Sequence, residues 1–222
     1  MDITVIVTYA PMLLQGLLHS LWLFLLTSLT ALAWASLLTW TSMCSPQAAM
    51  RALVAGYTRL ILGLPLLVLI YVLFFILPEY GITLSSPMVG VTALTLYYGP
   101  YLTQVLRGAF ESIPSGQFEA CSALGISRWQ TFRHVALKQA LPVALPPVTG
   151  LLIGLLKDTA LLSIVSVEEF MFSAKQAISQ SYAPLEIYLA VALCYWLVSL
   201  LIDSASSALE RRLSRHRQPQ SA

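Results

Sequence analysis

Lys157, Asp158 and Thr159 place two charges and a hydroxyl side by side inside the apolar run PVTGLLIGLLKDTALLSIV, residues 147–165. A charge at the centre of a membrane helix costs about 2.5–3.5 kcal/mol even on the gentlest scale, so such residues face a polar cavity or a partner helix. Neighbours on a helix point about 100° apart and cannot pair well with each other. Two readings follow: Asp158 and Thr159 line the path of a polar solute, or each charge pairs with another helix for assembly. The second concentration of polar chemistry is the stretch 111–140, which contains PSGQFEACSALGISRWQTFRHVALKQA. Its first turn can start at Ser115, and Gly125 is the residue type that accepts the left-handed conformation after a helix. Ser127 with Gln130 has capping-box spacing, and Trp129, Phe132, Arg133 and Ala136 follow at helical intervals. A short helix, a glycine turn and a second short amphipathic helix are predicted. Spacing alone leaves open whether this hairpin lies in the headgroups or docks on a partner.

Other chemistry is thinly represented. Gly150, Gly154, Lys157 and Thr159 do not have phosphate-loop spacing and follow no strand. Gly150 and Gly154 instead fit close packing of membrane helices. Cys44, Cys121 and Cys194 are odd in number and do not group with His19, His134 and His216, so neither a disulfide frame nor a zinc site is expected. No nucleophile and base pair within the bilayer suggests a membrane enzyme. No catalytic residue, metal, cofactor or nucleic-acid partner is therefore expected.

The elements that must position these residues are membrane spans. The chain has 222 residues, 58% hydrophobic and only 10% charged, too little polar surface to cover a soluble globule. Its apolar residues form blocks able to cross a hydrocarbon core of roughly 30 Å. Five spans are predicted, at about 13–38, 60–77, 88–110, 147–165 and 185–202, in one all-α domain covering residues 1–222. Pro146 and Pro147 sit where a helix start tolerates them. No Lys or Arg precedes Arg51, Asp2 is the one charge of the N-terminal stretch, and four arginines fall between Arg211 and Arg217. A cleaved signal peptide is not expected. Basic residues in the third loop and the tail put both in the cytoplasm and the N-terminus outside; Lys175 is the exception, in a stretch that nets negative. Ser166 and Glu169 have capping-box spacing for an outward helix over about 167–180, which could meet an external partner or pack on its neighbours.

Glu119-Ala120, Gly125 and, after nine intervening residues, Val135-Ala136-Leu137 resemble the EAA loop of ABC-importer permeases. The resemblance implies type I importer architecture, with the 111–140 loop docking on a separate ATPase. Glu119, Ala120, Gly125, Ser127 and Arg128 are the residues it assigns to coupling. The family pattern closes with Leu-Pro, whereas this chain has Leu137-Lys138. Gly16 with Ser20-Leu21, Arg107-Gly108, Ala123-Leu124-Gly125, Ser127-Arg128-Trp129, Lys157-Asp158-Thr159, Glu186-Ile187-Tyr188 and Leu209-Glu210-Arg211-Arg212 are similar, in order, to the polar amino-acid branch of histidine and glutamine permeases. That branch implies an importer of polar amino acids in the bacterial inner membrane, working with an ATPase, an external substrate-binding protein and a second permease subunit. ATP hydrolysis would lie on the separate subunit. Tyr97, Tyr101, Gln104, Lys157, Asp158 and Thr159 are the expected substrate path. Two departures bear on the substrate: Arg-Gly-Thr-Pro of the branch is here Leu62-Gly63-Leu64-Pro65, and an expected Asn and carboxylate are here Tyr97 and Gln104. Losing them weakens complementary-charge binding of a zwitterion. Either the substrate is atypical, an opine or another amino-acid derivative, or this subunit pairs with a different permease that carries the main site; the heterodimer is favoured. A non-transporting scaffold would explain the spans but neither Lys157-Asp158 nor the loop.

Overall fold

A computed structural model describes residues 3–214. Asp2 and the tail from Arg215, with His216 and Arg217, lie outside the described residues. Every regular element described is helical: α1 (Ile3–Cys44), α2 (Ala48–Leu62), α3 (Leu66–Tyr71), α4 (Ser86–Glu111), α5 (Ser115–Ala123), α6 (Arg128–Thr131), α7 (Leu137–Asp158), α8 (Phe170–Ser181) and α9 (Pro184–Ser214). Three described stretches are long and apolar enough to cross a membrane: α1, Arg128–Val165 and Pro184–Leu213. Ala48–Leu62 and Leu66–Tyr80 qualify as a bent pair. α4 is long enough but less apolar, and it is a central helix, with Val89, Ala93, Leu94 and Leu102 almost fully buried.

α1 packs along α4 through small residues. Ala31, Ala35 and Ala93 are wholly buried, and the Thr30 and Thr95 hydroxyls meet at 2.6 Å. Water supplies no driving force between helices in lipid, so close backbone approach and such hydroxyl pairs hold the bundle together. α4 packs in turn on α7, and α7 on α9, where Thr149 and Ser206 share a hydrogen bond. A methyl at Gly90 would stand 2.6 Å from Leu162 Cδ1, and one at Gly16 would collide with the Ser173 side chain. Both glycines mark close contacts, in which a side chain would require Leu162 or Ser173 to move.

Three boundaries differ from the sequence reading. The helix expected from Leu60 to Leu77 is broken at Gly63–Pro65, where α2 and the following helix meet at 107°. Pro65 lacks a donor and biases Leu64 away from the helical region, so the chain turns and restarts at Leu66. The second short helix of the loop is no separate element. It starts at the Ser127 cap, widens into a π turn over Phe132–Ala136 and runs on through α7 to Val165. Pro142, Pro146 and Pro147 therefore lie inside a helix already under way, which the bilayer tolerates when neighbouring helices and local adjustments satisfy the freed carbonyls. The helix expected over about 167–180 begins at Phe170, not Val167. Ser166 is left-handed (φ 59°) and cannot serve as an N-cap, whereas extended Glu169 accepts from the Met171 and Phe172 N–H groups.

Candidate functional site

Two polar constellations emerge, one between α4 and α7 and one at the 111–140 hairpin. In the first, the Tyr98 hydroxyl donates to Asp158 Oδ2 at 2.7 Å. Tyr98 is buried and fits because residue 154, one turn before Asp158, is glycine: a Cβ there would lie 3.1 Å from the Tyr98 oxygen. The Tyr97 ring meets Tyr98 edge-on at 5.6 Å and Tyr101 at 5.2 Å, and the Tyr97 and Tyr101 hydroxyls are 3.4 Å apart. Such aromatic pairs contribute about 0.5–1.5 kcal/mol beyond area burial, so the three rings form one cluster, tied to the carboxylate through Tyr98. Tyr97, Tyr101 and the exposed Gln104 follow at i, i+4 and i+7 along one face of α4.

The residues expected on this path thus divide. Tyr97, Tyr101 and Asp158 come together, joined by Tyr98, which sequence reasoning did not single out. Gln104 and Lys157 are exposed. Thr159 is wholly buried and donates to its own helix at the Leu156 carbonyl, 2.7 Å away. It packs the interior, one helical step round from Asp158.

At the hairpin, α5 ends in a Schellman motif: the Ile126 N–H reaches the Cys121 carbonyl and the Gly125 N–H reaches Ser122. Gly125 has φ +70°. The capping box is complete, Ser127 Oγ accepting from the Gln130 N–H at 3.3 Å and the Ser127 N–H donating to Gln130 Oε1 at 3.1 Å. Glu119, Ala120 and Arg128 point to the exterior, while Cys121 and Thr131 are buried. Phe132 stacks between Phe110 and Trp129 at 5.9 and 5.8 Å, tying the hairpin to the end of α4. Gly125→Ala is expected to destabilise the protein by about 1 kcal/mol through left-handed strain alone, since nothing lies within 4 Å of the missing Cβ. Thermal unfolding beside Gly116→Ala, a helical position that is equally open and has an ordinary φ, checks this: only the first variant should lose stability.

A third cluster centres on Glu169, for which the sequence suggests only a capping-box role. Glu169 is wholly buried. Its Oε2 accepts from Ser20 at 3.2 Å and from the Met171 N–H at 2.9 Å, and its Oε1 from the Phe172 N–H at 2.8 Å. Ser20 Oγ in turn accepts from the Phe170 N–H at 3.0 Å, and the Tyr195 hydroxyl approaches Glu169 Oε2 at 3.4 Å. One carboxylate thereby joins α1, α8 and α9. The nearest signal in the sequence is an acidic pair, Glu168-Glu169, set between Val167 and Phe170.

An all-helical membrane bundle whose long helices are joined by a capped hairpin has the architecture of a type I ABC-importer permease. The chain belongs to that family: residues 42–215 match the binding-protein-dependent transport system inner membrane component, so it is the transmembrane permease subunit of an ABC importer. Subunits of this family are not themselves catalytic, and membership speaks against a membrane scaffold. The chain is 30% identical to the L-cystine transport system permease protein TcyB of Bacillus subtilis over 94% of its own length and 89% of the relative's. It is 36% identical to the probable glutamine permease GlnP of the same organism, over 72% and 75%, and 34% identical to the arginine permease ArtQ of Haemophilus influenzae, over the same shares. Among solved structures, an amino acid ABC transporter with histidines superposes with TM-score 0.88 at 26% identity, covering 96% of this chain and 99% of that one. The inward-facing MetNI methionine transporter matches in fold, with TM-score 0.75 at 20% identity, covering 92% and 97%.

Proposed function

We propose that this subunit conducts polar amino acids inward across the inner membrane, with Asp158, Tyr97 and Tyr101 touching the solute. The observation that carries this reading is the Asp158 carboxylate held at 2.7 Å by Tyr98 beside the open face of α4. A carboxylate already fixed by one donor is preorganised to accept another from an amino group, with little reorganisation on binding. Relatives over most of the chain carry the names of cystine, glutamine and arginine systems, which supports an amino-acid substrate. Gln104 and Lys157 complete the proposed path.

The chain crosses the membrane five times in this reading, through α1, the broken α2 and α3, α4, α7 and α9, with the N-terminus outside and the C-terminus in the cytoplasm. The hairpin then lies on the cytoplasmic side, where Glu119, Ala120, Gly125, Ser127 and Arg128 engage a separate ATPase subunit that hydrolyses ATP. An external binding protein delivers the substrate. Gln104 and Leu62, where the branch has a carboxylate and an arginine, favour a heterodimer in which a second, related permease holds the complementary charge.

The test is ATPase activity of the co-expressed complex in proteoliposomes, with binding protein loaded by L-cystine, L-glutamine or L-arginine. At least one amino acid should stimulate hydrolysis in the wild type. Asp158→Asn should weaken that stimulation by roughly tenfold at subsaturating loaded binding protein, the equivalent of about 1.4 kcal/mol and close to the lower bound for one charge-assisted hydrogen bond. Unchanged stimulation in the variant would remove Asp158 from the path.

A further inference from the structure

Pro100 sits inside α4 and has no N–H, so the Leu96 carbonyl, four residues earlier, loses the donor that an α-helix would give it from position 100. The Tyr57 hydroxyl of α2 donates to that same carbonyl at 2.6 Å. Its oxygen accepts in turn from Trp34 Nε1 of α1 at 3.1 Å, with the two rings edge-on at 6.3 Å. Trp34 lies so close to α4 that a side chain at Gly99 would collide with its ring. Leu96 and Pro100 bracket Tyr97 and Tyr98, and Tyr101 follows directly. The one interrupted rung of the α4 ladder therefore lies at the proposed path, and a side chain from another helix closes it.

From this we infer that Tyr57 is a positioning residue for substrate recognition: by holding the Leu96 carbonyl it sets how far α4 opens at Pro100, and so where Tyr97 and Tyr101 stand relative to Asp158. An unclosed rung lets a proline-containing helix bend further toward whatever donor it can find. Trp34 orients the phenol, so α1, α2 and α4 meet at this one point. Because the chain turns sharply at Gly63–Pro65, α2 is a separate short rod, and the bond ties it to the face that meets the solute. The inference rests on the reading of Tyr97, Tyr101 and Asp158 as the path.

The experiment is uptake kinetics of radiolabelled L-cystine, L-glutamine or L-arginine, whichever is transported, by the full complex with ATPase and binding protein in proteoliposomes. Tyr57→Phe keeps the ring and loses the donor; it should raise KM about fivefold while kcat stays within about twofold, the signature of disturbed recognition without lost chemistry. In a Pro100→Ala background the residue 100 N–H serves the Leu96 carbonyl, and the same substitution should leave KM unmoved. An equal shift in both backgrounds, or a fall in kcat with unchanged KM, would overturn the inference. Should Pro100→Ala fail to assemble, Trp34→Phe decides: a smaller rise in KM in the same direction supports it, and no rise, or a larger one than in Tyr57→Phe, overturns it. Asp158→Asn run alongside separates the two claims. Unchanged KM there brings down the path reading and this inference with it, whereas a shifted Asp158→Asn beside an unmoved Tyr57→Phe brings down this inference alone.

Discussion

Glu119→Lys is expected to reduce binding-protein-stimulated ATP hydrolysis by the co-expressed complex more than tenfold while the permease still folds and inserts. Glu119 is exposed on α5 and is engaged in no described ion pair or side-chain hydrogen bond, and Lys is as good a helix former as Glu. Reversing its charge therefore disturbs nothing inside this chain. The hairpin that presents it is fixed at its turn by the Schellman motif at Gly125 and the capping box at Ser127, so the new charge stays at the same place on the face proposed to meet the ATPase. Truncating one member of a buried charge pair at an interface costs about 2–5 kcal/mol, and reversal adds repulsion. Intact assembly with lost stimulation would locate the defect in coupling; full stimulation would remove Glu119 from the ATPase contact.

Glu169→Ala should have the largest effect on stability, about 3 kcal/mol or more. The carboxylate satisfies the Met171 and Phe172 N–H groups and the Ser20 hydroxyl, and each buried donor left without a partner costs about 1–3 kcal/mol. No solvent reaches the site to compensate, since Glu169 is wholly buried. Glu169→Gln retains one acceptor oxygen and should lose less. Thermal unfolding of the purified complex, followed through the Trp196 and Trp22 fluorescence of α9 and α1, checks the order wild type, Gln, Ala. Equal stability of all three would mean that the Gly16 and Ser173 packing, without the carboxylate, holds α8 in place.

Periodicity and turn chemistry made much of this molecule legible from its sequence. The long apolar runs, the Gly125 turn and the Ser127 cap are local signals, each set by a few adjacent residues, and they appear in the structure. Boundaries that depend on proline were harder to read. Pro65 breaks a helix while Pro142, Pro146 and Pro147 do not, because a proline's effect is decided by what else can bond the carbonyl it strands. The same cause hid the Tyr57 bond to Leu96, whose partners stand 39 residues apart. Asp158 stood out as a charge in an apolar run, but its partner Tyr98 comes from 60 residues away and Thr159 turned inward. Side-chain direction about a helix axis depends on which neighbours pack there, and one sequence does not specify that.

Inward movement of amino acids at the expense of ATP is measured by uptake of radiolabelled L-cystine, L-glutamine and L-arginine into proteoliposomes holding the complete complex, with ATP sealed inside and binding protein outside. Accumulation of at least one amino acid that requires both ATP and binding protein, and that is lost with Glu119→Lys, is the predicted result. Accumulation of none of them, from a complex whose ATPase responds to its binding protein, would contradict the substrate assignment and with it the role given to Asp158.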